Sequence, residues 1–239
     1  MTTTSPSIVD LRQQADRSLL ALFVELYKET FGNPALREDP SLWSPRLWGD
    51  PPEPEPILHV IVAVDKAGQV LGGVVAEYYR ASCCGLVTYL AVREGERRRG
   101  IGRRLGIAAS HALQADASQR EQTLRAVFAE AEAPSAEAHE GSIDLSERLT
   151  ALKHLGACRV GLDYVQPDLG SGAGRVRDLV LLAFPRASSA AIAGALPQAT
   201  VFAFLLEFYQ SLGVVSPEID GDFRSMTGAL QNRVKLIPL

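Results

Sequence analysis

Apolar and polar residues follow a helical period at the start of the chain. Between Ile8 and Phe31, apolar residues recur every three or four positions, which predicts a first amphipathic helix. Segment 40–48 predicts a short second helix. The prolines of 49–56 exclude regular structure, because proline lacks an amide donor and restricts the residue before it. We therefore expect a surface linker there.

The pattern then changes to runs of β-branched and aromatic residues. Segments 58–65, 69–80 and 85–92 have this composition, with turn residues between the first two, and predict three antiparallel strands joined by hairpins. Segment 100–119 returns to helical spacing and predicts a helix that starts at its glycines. Its apolar face comprises Ile101, Leu105, Ala108 or Ala109, and Ala112.

The second half of the chain alternates between the two patterns. It predicts a strand at 123–134, a helix at 143–157 that ends at Gly156, and strands at 158–167 and 176–185 around a flexible loop at 170–174. Crossover connections are right-handed and join parallel strands, so the strands flanking helix 100–119 should be parallel. The sheet is therefore predicted to be mixed. The tail predicts an apolar helix at 199–213 and then a less regular stretch.

Composition narrows the class of protein. A chain of 239 residues that is 46% hydrophobic can bury one core with a small appendage. Its net charge of -4 argues against a general nucleic-acid surface. No segment approaches the roughly 18 consecutive apolar residues of a membrane span, and no secretory signal is evident, so we expect a cytoplasmic protein with no membrane partner. Its three cysteines and four histidines have no zinc-ligand spacing, so we expect no metal.

This acidic chain nevertheless gathers six arginines in residues 92–106, here called the glycine–arginine segment. It lies between a predicted strand and a predicted helix. A P-loop does not fit, because Ile101 and Gly102 stand where a lysine and a hydroxyl residue are required. A dinucleotide fingerprint does not fit either, because Leu105 replaces its third glycine. A solvated basic face or a nucleic-acid patch is the alternative explanation for the arginines.

A third pattern fits. The spacing Arg97-x-x-Gly100-x-Gly102, after a strand and at the start of a helix, resembles the central motif of the GNAT superfamily of acyl-CoA-dependent N-acyltransferases. The order of elements from Val60 to Pro185 resembles that family as well. The resemblance implies an α/β fold with a central mixed, mostly antiparallel sheet flanked by helices.

The resemblance also implies a domain organisation. We expect an acetyltransferase domain at 1–187, with its core at 57–187 and N-terminal helices at 8–50. Residues 188–239 would form a C-terminal helical extension, packed on the same domain or at a homodimer interface.

By the same resemblance, acetyl-CoA is the cosubstrate. A helix N-terminus presents unpaired amides and partial positive charge, and glycines let a pyrophosphate approach the backbone. Backbone amides near Leu90 and Val92 would bind the pantetheine arm and the thioester carbonyl, in a slot where two strands separate. The expected cofactor-binding residues are Leu90, Ala91, Val92, Arg97, Arg98, Arg99, Gly100, Ile101, Gly102 and Arg103.

Acyl transfer to an alkylamine needs a base, because an amine with a pKa near ~10.4 is almost fully protonated at neutral pH. Relatives carry a glutamate base where this chain has Leu86. The candidates here are Glu130 and Glu132, which share one face of a strand. Mutual repulsion and partial burial would raise the pKa of one of them. The alternative is two solvated carboxylates at a strand end.

The proton donor of many relatives is also missing, because Leu152 stands where they place a tyrosine. A thiolate leaving group needs little protonation, so this loss is tolerable. Tyr164 is the candidate acid, with Tyr89 as a second, although core packing explains either tyrosine equally. His139 is either a proton shuttle or a surface histidine.

A run of acids predicts a positively charged amine acceptor, if it is more than a hydrophilic loop. The run comprises Glu130, Glu132, Glu137, Glu140, Asp144 and Glu147. A catalytically silent acyl-CoA sensor is the competing function, because both family proton carriers are absent. An arginine-driven nucleic-acid binder is the third. The identity of the acceptor stays open.

Overall fold

The structure is a computed structural model that describes residues 5–32, 37–50, 52–133, 145–169, 172 and 174–239. Within these residues the chain forms one nine-stranded sheet in the order β1-β2-β3-β4-β5-β7-β6-β9-β8, together with six α-helices. The strands are β1 (Ser7–Asp10), β2 (Ile57–Val64), β3 (Val70–Tyr79), β4 (Cys84–Val92), β5 (Ala126–Glu132), β6 (Cys158–Val160), β7 (Leu179–Ala183), β8 (Ala195–Pro197) and β9 (Arg233–Pro238). The helices are α1 (Arg17–Thr30), α2 (Trp43–Trp48), α3 (Ile101–Gln119), α4 (Leu145–His154), α5 (Gln198–Ser211) and α6 (Gly221–Gly228).

The sheet is mixed and mostly antiparallel, as the sequence predicts. Strands β4 and β5 pair in parallel, from Cys84 opposite Ala126 to Val87 opposite Ala129. The other strand pairs of the described chain are antiparallel. The parallel pair flanks α3, so the crossover argument and the predicted fold class are confirmed.

The two faces of the sheet carry different helices, because alternate residues of a strand point to opposite sides. On β2, Ile57 and Ile61 pack with Leu105 of α3, whereas Leu58 and Val60 belong to the cluster around α1. Helix α5 covers the face of α1 farther along the sheet. The predicted apolar face of α3 is confirmed, and its buried residues include Ile101, Leu105, Ala109 and Ala112.

The predicted first helix is wrong for its first residues. Residues Ser7–Asp10 form an edge strand against β2, and α1 begins only at Arg17. The helix start is fixed by Asp16, whose carboxylate accepts the backbone amides of Ser18 and Leu19 at 2.9 and 3.0 Å. A four-residue strand is too short for its period to show beside the helical pattern that follows it.

The tail contains more regular structure than its sequence predicts. The predicted helix at 199–213 is present as α5, but the stretch after it forms α6 and then β9, which pairs with both β6 and β8. Buried Glu207 of α5 accepts the amides of Ala81 and Ser82 at 2.9 and 2.7 Å. The tail is thus tied to the central hairpin. No helix in the described part of the chain is long and apolar enough to cross a bilayer.

A buried histidine links the edge of the sheet to α3. His59 lies between two carboxylates, with Nδ1 2.8 Å from Asp10 and Nε2 2.8 Å from Asp116. Burial alone would lower the pKa of His59, but the hydrogen bonds and charges of both aspartates outweigh it and raise the pKa from 6.5 to about 9. His59 is therefore charged in the folded protein at neutral pH.

This network should make stability depend on pH. A histidine whose pKa is raised on folding contributes its full stabilisation of the folded state below pH 6.5, and this contribution is lost as pH rises through about 9. We expect the free energy of unfolding to fall by about 3 kcal/mol across that window. Denaturant titration at several pH values measures it. The Asp116→Asn variant, which keeps one carboxylate, should show a shallower fall, and parallel curves for the two proteins would contradict this assignment.

Candidate active site

The central feature of the sheet is an opening between β4 and β5. Their pairing ends at Val87 opposite Ala129, although both strands continue. Beyond that point β4 stays on β3 as far as Val92, and β5 stays on β7 as far as Glu132. A register shift on β4 accompanies the separation, since Tyr89 faces Val75 and Val87 faces Ala76. We call the space between residues 88–92 and 130–132 the interstrand gap.

Backbone donors of β4 point into the interstrand gap. The Arg93 amide donates to Leu71 O at 2.9 Å, on the side of β3. Because amide direction alternates along a strand, the amides of Leu90 and Val92 point away from β3. This direction agrees with the donor role that the resemblance implies for them.

The first turn of α3 borders the same gap. Gly100 is its N-cap, with φ +79°, and within the described part of the chain no side chain caps the first amides of the helix. Arg98 also has a positive φ, +62°. A Cβ on Gly102 would lie 3.8 Å from a Val92 methyl and 3.9 Å from a Leu90 methyl. The motif residues and the β4 amides are therefore neighbours.

The arginines of the glycine–arginine segment have different partners. Arg97 Nε donates to Val92 O at 3.3 Å, which holds this side chain against the end of β4. Arg98 pairs with Glu147 at 3.0 Å, and Arg99 pairs with Glu96 at 2.7 Å, both near the surface. Such exposed pairs contribute about 0–1 kcal/mol, so either arginine can exchange its carboxylate for a phosphate.

A cavity of about 1140 Å³ lies on the face of the sheet opposite α3. Its wall includes Leu86, Thr88 and Tyr89 of β4, Glu130 and Glu132 of β5, and Phe208 and residues 210–213 at the end of α5. Charged residues in its lining are mostly acidic. They are Glu38, Asp39, Glu53, Glu55, Glu77, Glu130 and Glu132 against Lys28, Arg37, Arg46 and Arg148.

Glu130 lies in this cavity at the interstrand gap, one residue beyond the last β4–β5 pair. Tyr164 donates a short hydrogen bond to its carboxylate, and the Gln166 side chain lies close to it. Burial raises the pKa of Glu130 to about 7, against the lowering effect of these two side chains. A carboxyl with this pKa is suited to accept a proton at neutral pH.

Glu132 has a different environment, although both glutamates point to one face as predicted. Its carboxylate pairs with Arg148 of α4 at 2.8 Å. The sequence predicts a raised pKa from partial burial and from repulsion between the two glutamates, and only the first reason agrees with the structure. Burial and the charge of Glu77 on β3 raise the pKa of Glu130.

A second ionic cluster lines the opposite wall of the cavity and is absent from the sequence predictions. Arg46 of α2 lies 2.9 Å from Glu55, 2.5 Å from Glu77 and 3.6 Å from Glu38. Burial and the Glu77 charge raise the pKa of Glu38 to about 7. These residues are dispersed between positions 38 and 77, so no local motif marks them. The acids at 77, 130 and 132 are nevertheless a signal of a polar site, because each interrupts an otherwise apolar strand pattern.

The remaining candidates occupy varied positions. The Tyr164 side chain is buried behind Glu130, and the Tyr89 hydroxyl accepts the Glu38 amide at 3.0 Å. Leu86 lines the cavity, while Leu152 packs against the opposite face with Ala129 and Ala131. His139 and the acids Glu137, Glu140 and Asp144 lie outside the described residues.

Comparisons with known proteins agree with this geometry. A family model described as the acetyltransferase (GNAT) family matches residues 20–140, about half of the chain. A putative acetyltransferase of the GNAT family from Bacteroides thetaiotaomicron is 16% identical, with a TM-score of 0.50 over 74% of this chain and 85% of that chain. At this identity the likeness shows the fold.

Two other solved structures have lower TM-scores. The ribosomal-protein-S18-alanine N-acetyltransferase from Escherichia coli is 13% identical, with a TM-score of 0.47 over 74% of this chain and 92% of that chain. A phosphinothricin acetyltransferase from Sinorhizobium meliloti, in complex with AcCoA, is 18% identical, with a TM-score of 0.46 over 75% and 88%. A comparison with curated proteins finds no match.

Proposed function

Because this chain belongs to the acetyltransferase (GNAT) family, we propose that it transfers an acetyl group from acetyl-CoA to the amine of a positively charged small molecule or peptide. One observation carries the proposal. The interstrand gap has an uncapped, glycine-containing helix start on one face of the sheet and an acidic cavity with Glu130 on the other. A carrier bound at the helix and an amine bound in the cavity would meet at the gap.

In this proposal the carrier is bound largely by the main chain. Amides from Arg98 to Arg103 hold the pyrophosphate, and the positive φ of Gly100 supports this role because it turns the backbone at the helix start. Arg97, Arg98 and Arg99 add charge. The Leu90 and Val92 amides stabilise the oxyanion that forms on the thioester carbonyl, a contribution of about 3 kcal/mol for one such donor.

In the cavity, Glu130 accepts a proton from the acceptor ammonium. The freed amine attacks the thioester carbon and forms the N–C bond. The nitrogen then releases its second proton as the C–S bond breaks, and this proton neutralises the departing thiolate, so the products are the amide and the free thiol of CoA. Tyr164 orients Glu130 through its hydrogen bond. Its hydroxyl can also pass a proton back to the reacting groups by way of Glu130. The excess of acidic lining residues attracts a cationic acceptor.

The domain division also stays a proposal, with an acetyltransferase domain at 1–187 and an extension at 188–239. Phe208 and residues 210–213 give the extension a role, because they line the cavity. Helix α5 packs on the sheet, where Phe204 stacks on Phe128 at 4.3 Å between ring centroids. A homodimer contact would then use another surface of the extension.

Thiol release from acetyl-CoA tests the proposal. We would assay n-butylamine, 1,4-diaminobutane and lysine amide against glutamate, whose net charge is negative, and against aniline, which is uncharged at neutral pH. We expect the cationic amines to react at least about tenfold faster, because the acidic cavity concentrates them. Preference for glutamate would contradict the cationic acceptor. Acetyl-CoA binding with no thiol release for any amine would contradict transfer and favour the sensor.

A further inference from the structure

The proposed mechanism leaves one buried polar atom in the cavity unused. Gln166 is 5% exposed and lines the cavity beside Glu130. Its Oε1 has no hydrogen-bond partner among the described residues. A buried acceptor without a donor is costly, and most buried polar atoms in folded proteins are paired. The wall of the cavity beside Glu130 therefore contains an acceptor that has no donor among the described residues.

The position of this oxygen is fixed from two sides. The Gln166 backbone forms a two-way bridge with Val176, with N–O distances of 2.9 and 3.1 Å. Its side chain lowers the pKa of Glu130, an effect that an amide N–H near the carboxylate has and an amide oxygen does not, so the nitrogen is assigned to the side of Glu130 and the oxygen is left for another donor. A single carboxamide thus connects the candidate base to the unfilled acceptor position.

We propose that Gln166 positions the acceptor amine by accepting one of its N–H groups while Glu130 receives another. This inference rests on the proposed function. An ammonium group can donate one hydrogen to Gln166 Oε1 and another to Glu130. Once Glu130 has taken its proton, the remaining hydrogen bond to Gln166 holds the amine and fixes the direction of the nitrogen lone pair. A hydroxyl has a single hydrogen, and if Glu130 takes it, Gln166 Oε1 stays unpaired. Gln166 therefore favours amines with at least two hydrogens over alcohols as acceptors.

Two substitutions separate the two ends of the carboxamide. Gln166→Met removes both the donor to Glu130 and the free oxygen at similar volume. Gln166→Glu keeps an oxygen acceptor but removes the donor and adds a carboxylate beside Glu130. The probe is n-butylamine or 1,4-diaminobutane, whichever the wild-type enzyme acetylates faster.

For Gln166→Met we expect the KM of the amine to rise about tenfold or more, the usual effect of one lost hydrogen bond to a charged group. The KM of acetyl-CoA should stay within about twofold. For Gln166→Glu we expect the amine KM at high pH to stay near that of the wild type.

In both variants the rise of kcat/KM with pH should move to higher pH, because Glu130 loses a donor that stabilises its charged form. Other groups that surround Glu130 are unchanged in both variants. They are Glu77 and Tyr79 of β3, Glu38, Arg46, Tyr164, Glu132 and Arg148.

Gln122→Met is the matched control. The Gln122 side-chain oxygen already accepts the Tyr78 hydroxyl at 3.2 Å, and Tyr78 packs on the α3 face, away from the cavity. This variant should leave the amine KM and the pH profile unchanged. Thermal unfolding of each variant reports whether it folds.

An amine KM within twofold of the wild type in folded Gln166→Met would overturn the inference while the wild type still turns over. Equal rises in both KM values would also overturn it, because they indicate a structural role. Absence of turnover in the wild type would instead count against the proposed function, so the two failures are distinguishable. If Gln166→Met does not fold, Gln166→Glu decides. An amine KM far above that of the wild type at high pH would then contradict the inference, because this variant keeps an oxygen acceptor.

Discussion

Replacing Glu130 by glutamine is expected to lower kcat by about 10²- to 10⁴-fold, the usual contribution of a positioned general base. Glutamine has nearly the same shape and can still accept the Tyr164 hydroxyl, so the fold should persist. The KM of acetyl-CoA should change little, because Glu130 lies on the cavity side of the gap. Steady-state thiol release, with thermal unfolding as a check on folding, measures both.

The pH dependence provides a second measurement of the same prediction. A base acts only when it is ionised, so kcat/KM of the wild type should rise with pH through about 7, the raised pKa of Glu130. In Glu130→Gln this rise should disappear. The sign is opposite for a residue that acts as an acid. In that case kcat/KM would fall as pH rises through the pKa of the residue, and replacing the residue would remove this fall.

Two other carboxylates make the prediction specific. Glu132 points to the same face and is paired with Arg148, and Glu38 on the opposite wall has a pKa that burial likewise raises to about 7. Glu132→Gln and Glu38→Gln should each lower kcat by less than about tenfold, because neither carboxyl lies beside the last β4–β5 pair. If either variant is more damaging than Glu130→Gln, the base is misassigned.

The second large effect concerns the carrier. Gly100→Val should weaken acetyl-CoA binding by at least about tenfold, because a β-branched residue at φ +79° is strained by roughly 1–3 kcal/mol and its side chain obstructs the approach of the pyrophosphate. Gly102→Val should act similarly, with a side chain directed toward Leu90 and Val92. Calorimetric titration of acetyl-CoA measures both.

Gly95→Val is the control for these variants. Gly95 belongs to the same glycine–arginine segment, and a Cβ there would meet no atom within 4 Å, as at Gly100. Only Gly100 has a positive φ among the two. Gly95→Val should therefore bind acetyl-CoA like the wild type. Equal loss of acetyl-CoA binding in Gly95→Val and Gly100→Val would contradict the prediction. It would show that a side chain anywhere in the segment, and not only at the helix start, weakens binding.

Much of the fold follows from local sequence. The runs of apolar, largely β-branched and aromatic residues in β2, β3 and β4 are long, so local preference and burial agree on strands. The apolar face of α3 and the glycines before it likewise predict where that helix starts. Strand β1 and strand β9 are less predictable, because each depends on a partner strand far away in sequence.

The residues proposed to bind the carrier can be predicted from sequence for the same reason, because motif residues 97–103 are contiguous. The residues of the cavity cannot. Glu38 and Arg46 lie between β1 and β2, Glu77 lies on β3, and Gln166 follows β6, so only the tertiary fold brings them near Glu130. Asp10, His59 and Asp116 are another such set, whose members lie on β1, β2 and α3.

We propose that the acetyl carrier binds at the start of α3 and along the β4 edge of the interstrand gap. Backbone amide NMR during a titration with CoA tests this binding site. We expect the largest shift changes at Leu90, Val92 and residues 98–103, with increased protection of these amides from exchange. Binding that shifts amides elsewhere and leaves these unchanged, or no binding at millimolar CoA, would contradict it.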